Sequence, residues 1–254
     1  MLENLVLTFV VGVVAGIIGS MLGLGGGIII SPILTLSGYM PSQVASTSLL
    51  AVASTGASST VSYSIKRKIC YSIGIRVVAF AVPFTVIGAL ISSTLDPDEF
   101  KIYVAVLLIS TSVYLLVRKS IKVERPDNEH KGKLLSNALL YAGSSAAGLI
   151  SSLFGLGGGI IFVPLLFGLK KLSMQQAVAT SQLCILITSI SGILTHSVLF
   201  QQDYVLAGVI ALGAAVGAQL GSFIALRISE RLLTILFSFS LVLISVQLIL
   251  GYVQ

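Results

Sequence analysis

The chain reads as an all-α polytopic membrane protein of two inverted-topology repeats. About eight full transmembrane helices are predicted, plus two short or re-entrant segments broken by glycine near the midplane. Three observations predict this. Hydrophobic residues make up 56% of the 254 residues and charged residues only 9%, with a mean hydropathy of +1.05, far outside globular averages. Long apolar runs recur at Leu5–Leu22, Ser72–Ser93, Ile102–Val117, Tyr204–Leu226 and Leu232–Val253, on the scale needed to cross about 30 Å of hydrocarbon. Finally, Gly23-Leu24-Gly25-Gly26-Gly27-Ile28-Ile29, followed by Pro32, returns 132 residues later as Gly155-Leu156-Gly157-Gly158-Gly159-Ile160-Ile161, followed by Pro164.

The first run, Leu5–Leu22, is expected to stay in the membrane rather than act as a cleaved signal. It lacks a basic leader and ends in the first copy of the repeat. Four glycines in five residues then break the helix and uncover backbone amides. Non-helical backbone survives at membrane depth only where protein buries it or where it lines a watery cavity. Paired breaks in two halves point to a transporter's binding site. The segments after each break, residues 28–38 and 160–169, are too short to cross at 1.5 Å per residue, so each is a partial span or a re-entrant arm.

The match extends beyond the glycines. Gly12, Gly16 and Ser20 pair with Ser144, Gly148 and Ser152, small residues every four positions that permit close helix approach. Gln43 to Ser48 pairs with Gln176 to Ser181 after one inserted residue, and Gly88 pairs with Gly221. The chain is expected to form one membrane domain, 1–254, with repeat one over 5–118, a charged cytosolic loop over 119–133 and repeat two over 134–252.

Charge sets the orientation. Lys66-Arg67-Lys68 has a partner loop, Gln201-Gln202-Asp203, without positive charge, while the acidic Asp96, Asp98 and Glu99 face a partner loop carrying Arg227 and Arg231. Equivalent loops with opposite bias lie on opposite sides. Fourteen of the fifteen Lys and Arg then fall on the cytosolic side, and the glycine motifs reverse the chain. Both termini are expected outside, in a bacterial or archaeal cell membrane. The net charge of +6 follows this topology, so nucleic acid is not an expected partner.

The glycine loops are not nucleotide loops: the third fingerprint glycine is replaced by Ile28 and Ile160, and no Gly-Lys-Ser/Thr follows. The alternatives are a packing role for Gly25, Gly26, Gly27, Gly157, Gly158 and Gly159, or donation of their amides to an anion from the start of each short helix. Thr47, Ser48, Thr180, Ser181, Gln182 and Gln43 cluster on the following segments and could add side-chain donors. No carboxylate falls in a predicted span, so no proton relay suggests itself. His196 is read as a boundary histidine, Arg76 as a snorkelling cation or an attractor of anions, and Cys70 and Cys184 as packing cysteines, with substrate contact by Cys184 the sharper reading. No metal site or cofactor is expected.

The paired Gly-x-Gly-Gly-Gly…Pro segments, the paired Thr-Ser motifs and the length near 250 residues resemble the sulfite exporter TauE/SafE family. That resemblance covers nearly the whole chain. It implies a membrane transporter for a small sulfur-containing anion such as sulfite, a sulfonate like sulfoacetate, or thiosulfate. Inverted repeats imply alternating access, with one half rocking against the other. An anion channel lined by the same groups is the alternative. A membrane enzyme is disfavoured, because His130 and His196 are predicted on opposite faces and no Ser–His–Asp set is evident.

Overall fold

The computed structural model describes residues 5–92, 94–96, 129–170, 172–199 and 204–233, with isolated positions at 103, 106, 235, 236 and 239. Among them are eight helices of ten residues or more and no strand. They are α1 (Leu5–Leu22), α2 (Gly27–Leu36), α3 (Pro41–Ile65), α4 (Tyr71–Ser92), α5 (Glu129–Phe154), α6 (Gly159–Leu169), α7 (Met174–Leu199) and α8 (Tyr204–Arg227). Helices α1, α4, α7 and α8 are long and apolar enough to cross a membrane, and α2 and α6 are the two short apolar segments. The runs read as spans at 102–117 and 232–253 fall largely outside the described residues, as does the loop at 119–128.

Each glycine motif ends one helix and starts the next. Gly23 takes a left-handed conformation (φ 76°), and the amides of Leu24 and Gly25 both donate to Gly19 O, at 2.8 and 3.1 Å. This arrangement closes the end of α1. Gly25 and Gly26 are also left-handed, which glycine tolerates without the Cβ penalty. The chain then folds back on α1, so that a Cβ on Gly26 would lie 3.0 Å from Ala15 O. Gly155, Gly157 and Gly158 repeat these signs of φ, and a Cβ on Gly158 would lie 2.9 Å from Ala147 O.

Helices α3 and α7 start in equivalent ways. Gln43 Oε1 accepts from the Met40 amide at 3.2 Å, and Gln176 Oε1 accepts from the Ser173 amide at the same distance. Ser173 Oγ accepts in return from the Gln176 amide, a reciprocal capping box. Ser173 therefore corresponds to Met40.

The two most extensive helix contacts are α1 with α8 and α4 with α5, each between one half and the other. A Cβ on Gly16 would stand 2.2 Å from Ala214 O, and one on Gly148 would stand 2.0 Å from Ala81 O. Gly88 meets Leu149 O and Gly221 meets Ile17 O, both within 2.2 Å of an added Cβ. These contacts exchange places under the repeat offset of 132 or 133 residues. Both pairs run parallel, since contacts advance together along the two helices. At the centre α3 and α7 cross antiparallel, with Gly192 against Leu49 and Gly56 against Leu186.

Outside this core lies an apolar belt. Val198 is 85% exposed, Val6 70% and Leu212 66%, side chains that water would disfavour and lipid accepts. The chain is a multi-pass membrane protein.

Candidate functional site

The two glycine motifs meet in the middle of the molecule. A Cβ on Gly27 would lie 2.3 Å from Gly155 O, and one on Gly159 would lie 2.3 Å from Gly23 O. Backbone therefore touches backbone across the halves, which only glycine permits. Val52 of α3 and Ile185 of α7 flank both Gly25 and Gly157 within 3.3 Å of an added Cβ. All ten residues of 23–27 and 155–159 are buried. The crossover is closed in this conformation.

Two predicted hydroxyls fasten it. Ser48 Oγ donates to Gly155 O at 2.7 Å, and Ser181 Oγ donates to Gly23 O at 2.8 Å. Each half thus supplies a serine that satisfies a carbonyl left over where the opposite helix ends. A buried carbonyl without such a donor costs about 1–3 kcal/mol.

Gln182 lies beside them. Its Nε2 donates to Gly19 O at 2.8 Å and reaches Ser20 O at 3.4 Å. These donations fix the orientation of the amide, and Oε1 remains buried without a partner. The repeat places Leu49 at the same position in the first half, so this group is not needed for packing. Ser151 and Ser152, in the last turn of α5, are fully buried and their hydroxyls have no partner either. Position 151 corresponds to Gly19, where a Cβ would sit 2.0 Å from Gly26 N. Sequence reasoning passed over Ser151 and treated Ser152 only as a small residue. The available signal was a pair of hydroxyls immediately before the glycine break.

The remaining predicted residues divide. Thr180 Oγ1 accepts from the Cys70 amide at 3.0 Å and so holds the start of α4 to α7. Thr47 is buried, at 4% exposure; residue 203, equivalent to Cys70, lies outside the described residues. Gln43 is exposed and caps the start of α3, so it is not brought to the crossover. Cys184 packs against Gly74, with Sγ 3.7 Å from its carbonyl. His196 Nε2 meets Ser152 O at 3.1 Å, and Tyr63, its counterpart in the repeat, donates to Ser20 O at 2.9 Å. Both clamp the last turn before a glycine break.

Chemically, the crossover offers donors without formal charge. Gly26 and Gly158 cap α2 and α6 without a side-chain cap bond, so the first-turn amides of both short helices lack that partner. Both helices carry the positive end of their dipoles there. Among the described residues no group of three His, Cys, Asp or Glu could hold a metal ion.

The comparisons agree on a class. The family described as sulfite exporter TauE/SafE matches residues 8–248. The chain is 29% identical over 269 residues to the probable membrane transporter protein YunE of Bacillus subtilis (strain 168), covering 97% of each. It is 27% identical over 249 residues to a probable membrane transporter protein of Methanocaldococcus jannaschii, covering 91% of this chain and 90% of that one. To the probable membrane transporter protein YfcA of Escherichia coli (strain K12) it is 26% identical over 227 residues, covering 89% and 82%. No solved structure matches. With its apolar spans and a family match over nearly its whole length, the chain belongs to the sulfite exporter TauE/SafE family of membrane transporters.

Proposed function

We propose that the chain moves a small sulfur-containing anion, such as sulfite, a sulfonate like sulfoacetate, or thiosulfate, by alternating access at the glycine crossover. The observation that carries this reading is the gathering of partnerless buried groups there. Gln182 Oε1, Ser151 Oγ and Ser152 Oγ flank two helix starts that lack side-chain caps. Amides and hydroxyls can bind an oxyanion at neutral pH with no cation to release. Gly25, Gly26, Gly27, Gly157, Gly158 and Gly159 supply backbone, and Thr47, Ser48, Thr180, Ser181 and Gln182 line its approach. The closed contact of the two loops favours a carrier over the alternative of an open anion channel.

The two halves are inverted repeats in this proposal. Equivalent helices α3 and α7 cross antiparallel, and the exchanged contacts support the same relation. The halves do not rock as units, however. The seams of α1 with α8 and of α4 with α5, the most extensive helix contacts, join backbone to backbone over successive turns, whereas the crossover touches only at its glycines. The moving bodies are therefore α1–α3 with α8, and α4 with α5–α7. Disulfides test this directly. Thr85→Cys with Ser191→Cys replaces two hydroxyl oxygens 2.8 Å apart within one body and should leave transport intact. Gly56→Cys with Leu186→Cys joins α3 to α7 across the bodies, at a Cβ separation of 3.2 Å, and should block it until reduced. Transport that survives the second cross-link sinks the exchanged-body mechanism. The anion itself is tested by thermal shift with sulfite, thiosulfate and sulfoacetate. Gln182→Leu, which installs the residue of the other half, should weaken whichever anion stabilises the wild type.

A further inference from the structure

The repeat builds two lipid-facing grooves and furnishes them differently. Between the parallel helices α4 and α5, Phe80 stacks on Tyr141 with centroids 4.2 Å apart, and Ser145 Oγ donates to Phe80 O at 3.4 Å. This register sets Arg76, one turn before Phe80, level with Asn137, one turn before Tyr141. Arg76 donates to Ser72 Oγ at 3.0 Å. Asn137 Oδ1 accepts from the Nζ of Lys170, the C-cap residue of α6. Two cations and two neutral polar groups thus share one level. Among the described residues, neither cation has a carboxylate partner.

The cations also sense each other. Burial, and then the positive charge of Arg76, hold the Lys170 ammonium below the ordinary lysine pKa. The equivalent groove between α8 and α1 keeps the close backbone contacts and omits the polar set, with Gly213 standing where α4 has Phe80. Ser72, Arg76 and Asn137 correspond there to Val205, Val209 and Leu5, and the C-cap of α2 is Ser37. The fold therefore does not require the four polar side chains. The general preference of cations for one side of a membrane explains their sign, but not why Ser72 and Asn137 tether them at one point. Below that point runs an apolar stripe on one face of α4: Phe80 is 43% exposed, Phe84 36% and Ile87 44%.

We propose that this groove binds an anionic phospholipid. The phosphodiester lies between Arg76 and Lys170, Ser72 and Asn137 hold the cations in place, and an acyl chain follows Phe80, Phe84 and Ile87. Cationic heads above an apolar strip complement such a lipid, and charge-assisted bonds to phosphate are the strong kind. The uncharged groove on the opposite side makes no headgroup selection.

The full chain, purified in detergent, is titrated with phosphatidylglycerol or phosphatidylcholine and followed by native mass spectrometry and thermal stability. The wild type should retain phosphatidylglycerol at least tenfold more tightly, and that lipid alone should raise its melting temperature. Arg76→Gln with Lys170→Gln should reduce the preference to within twofold. Arg76→Gln alone, at an exposed position, keeps the test available if the double variant is unstable, and should fall between. Equal retention of both lipids by the wild type, or a preference that survives the double variant, overturns the proposal. So does equal stabilisation by inorganic phosphate, which would make this a site for a soluble oxyanion.

Discussion

Replacing Gly148 with Ala tests the seam between the halves, and the structure sets both sign and size. The added Cβ would stand 2.0 Å from Ala81 O, 2.7 Å from its carbonyl carbon and 2.9 Å from its Cα. Ordinary contact begins near 3.5 Å, so α4 and α5 must part by roughly 1.5 Å. The obstruction is backbone, and no rotamer change can relieve it. Overpacking of this kind costs about 1–3 kcal/mol. It exceeds the gain in helix propensity from Gly to Ala, about 1 kcal/mol. Gly208, in α8, is the control: nothing lies within 4 Å of an added Cβ, so its Ala variant should gain up to about 1 kcal/mol. Thermal unfolding in detergent should therefore rank Gly208→Ala above wild type and Gly148→Ala below it. Gly16→Ala should copy Gly148→Ala, because its Cβ would meet Ala214 O at 2.2 Å. A Gly148→Ala protein as stable as the Gly208→Ala protein refutes the claim that these helices are locked by backbone contact.

Three further expectations follow from the same contacts. Ser48→Ala and Ser181→Ala each leave a buried glycine carbonyl without its donor, so each should lower stability by about 1–3 kcal/mol in denaturant titration; an unchanged midpoint removes the hydroxyl from the crossover. Tyr63→Phe deletes a bond of 2.9 Å to Ser20 O and should cost a similar amount. A cost confined to transport, with stability intact, would contradict its role as a clamp. The third concerns pH. Lys170 has its pKa lowered in the folded chain by burial and by Arg76, so between that lowered value and the ordinary lysine value the unfolded chain binds more protons. Stability without anionic lipid should then rise with pH through that window, up to about 10.5, and Lys170→Gln should flatten the slope. A slope that Lys170→Gln leaves unchanged assigns the effect to another group.

Much of this architecture was legible in the residues. The doubled glycine motif announced two helix breaks, and φ above +60° at Gly23, Gly25 and Gly26 and at Gly155, Gly157 and Gly158 follows from what glycine alone tolerates. The small residues Gly12, Gly16 and Gly148 announced close helix approach. They could not name the partner, because periodic small residues record that another backbone comes near and not which one. The exchange of α8 and α4 between halves was invisible for that reason, and with it the bodies that would move. Gln43 misled because the same residue type serves equally as an anion donor or as a capping acceptor. Local geometry, with Met40 three residues before it, decides for the cap. Ser151 went unremarked, and Ser152 counted only as a small residue, because a hydroxyl in an apolar helix usually bonds to its own backbone; their lack of a partner is a property of packing that no spacing reveals.

Counterflow in proteoliposomes separates a saturable sulfur-anion carrier from a channel. Vesicles holding the purified chain and millimolar unlabelled sulfite are diluted into trace labelled sulfite, with sulfoacetate and thiosulfate run in parallel. At least one of these anions should accumulate transiently inside. Uptake should saturate, should depend on the same anion preloaded in the vesicle, and should weaken with Gln182→Leu. Flux that never saturates and ignores the preload would make the protein a channel. The absence of uptake for all three anions in correctly inserted protein would contradict the sulfur-anion reading itself.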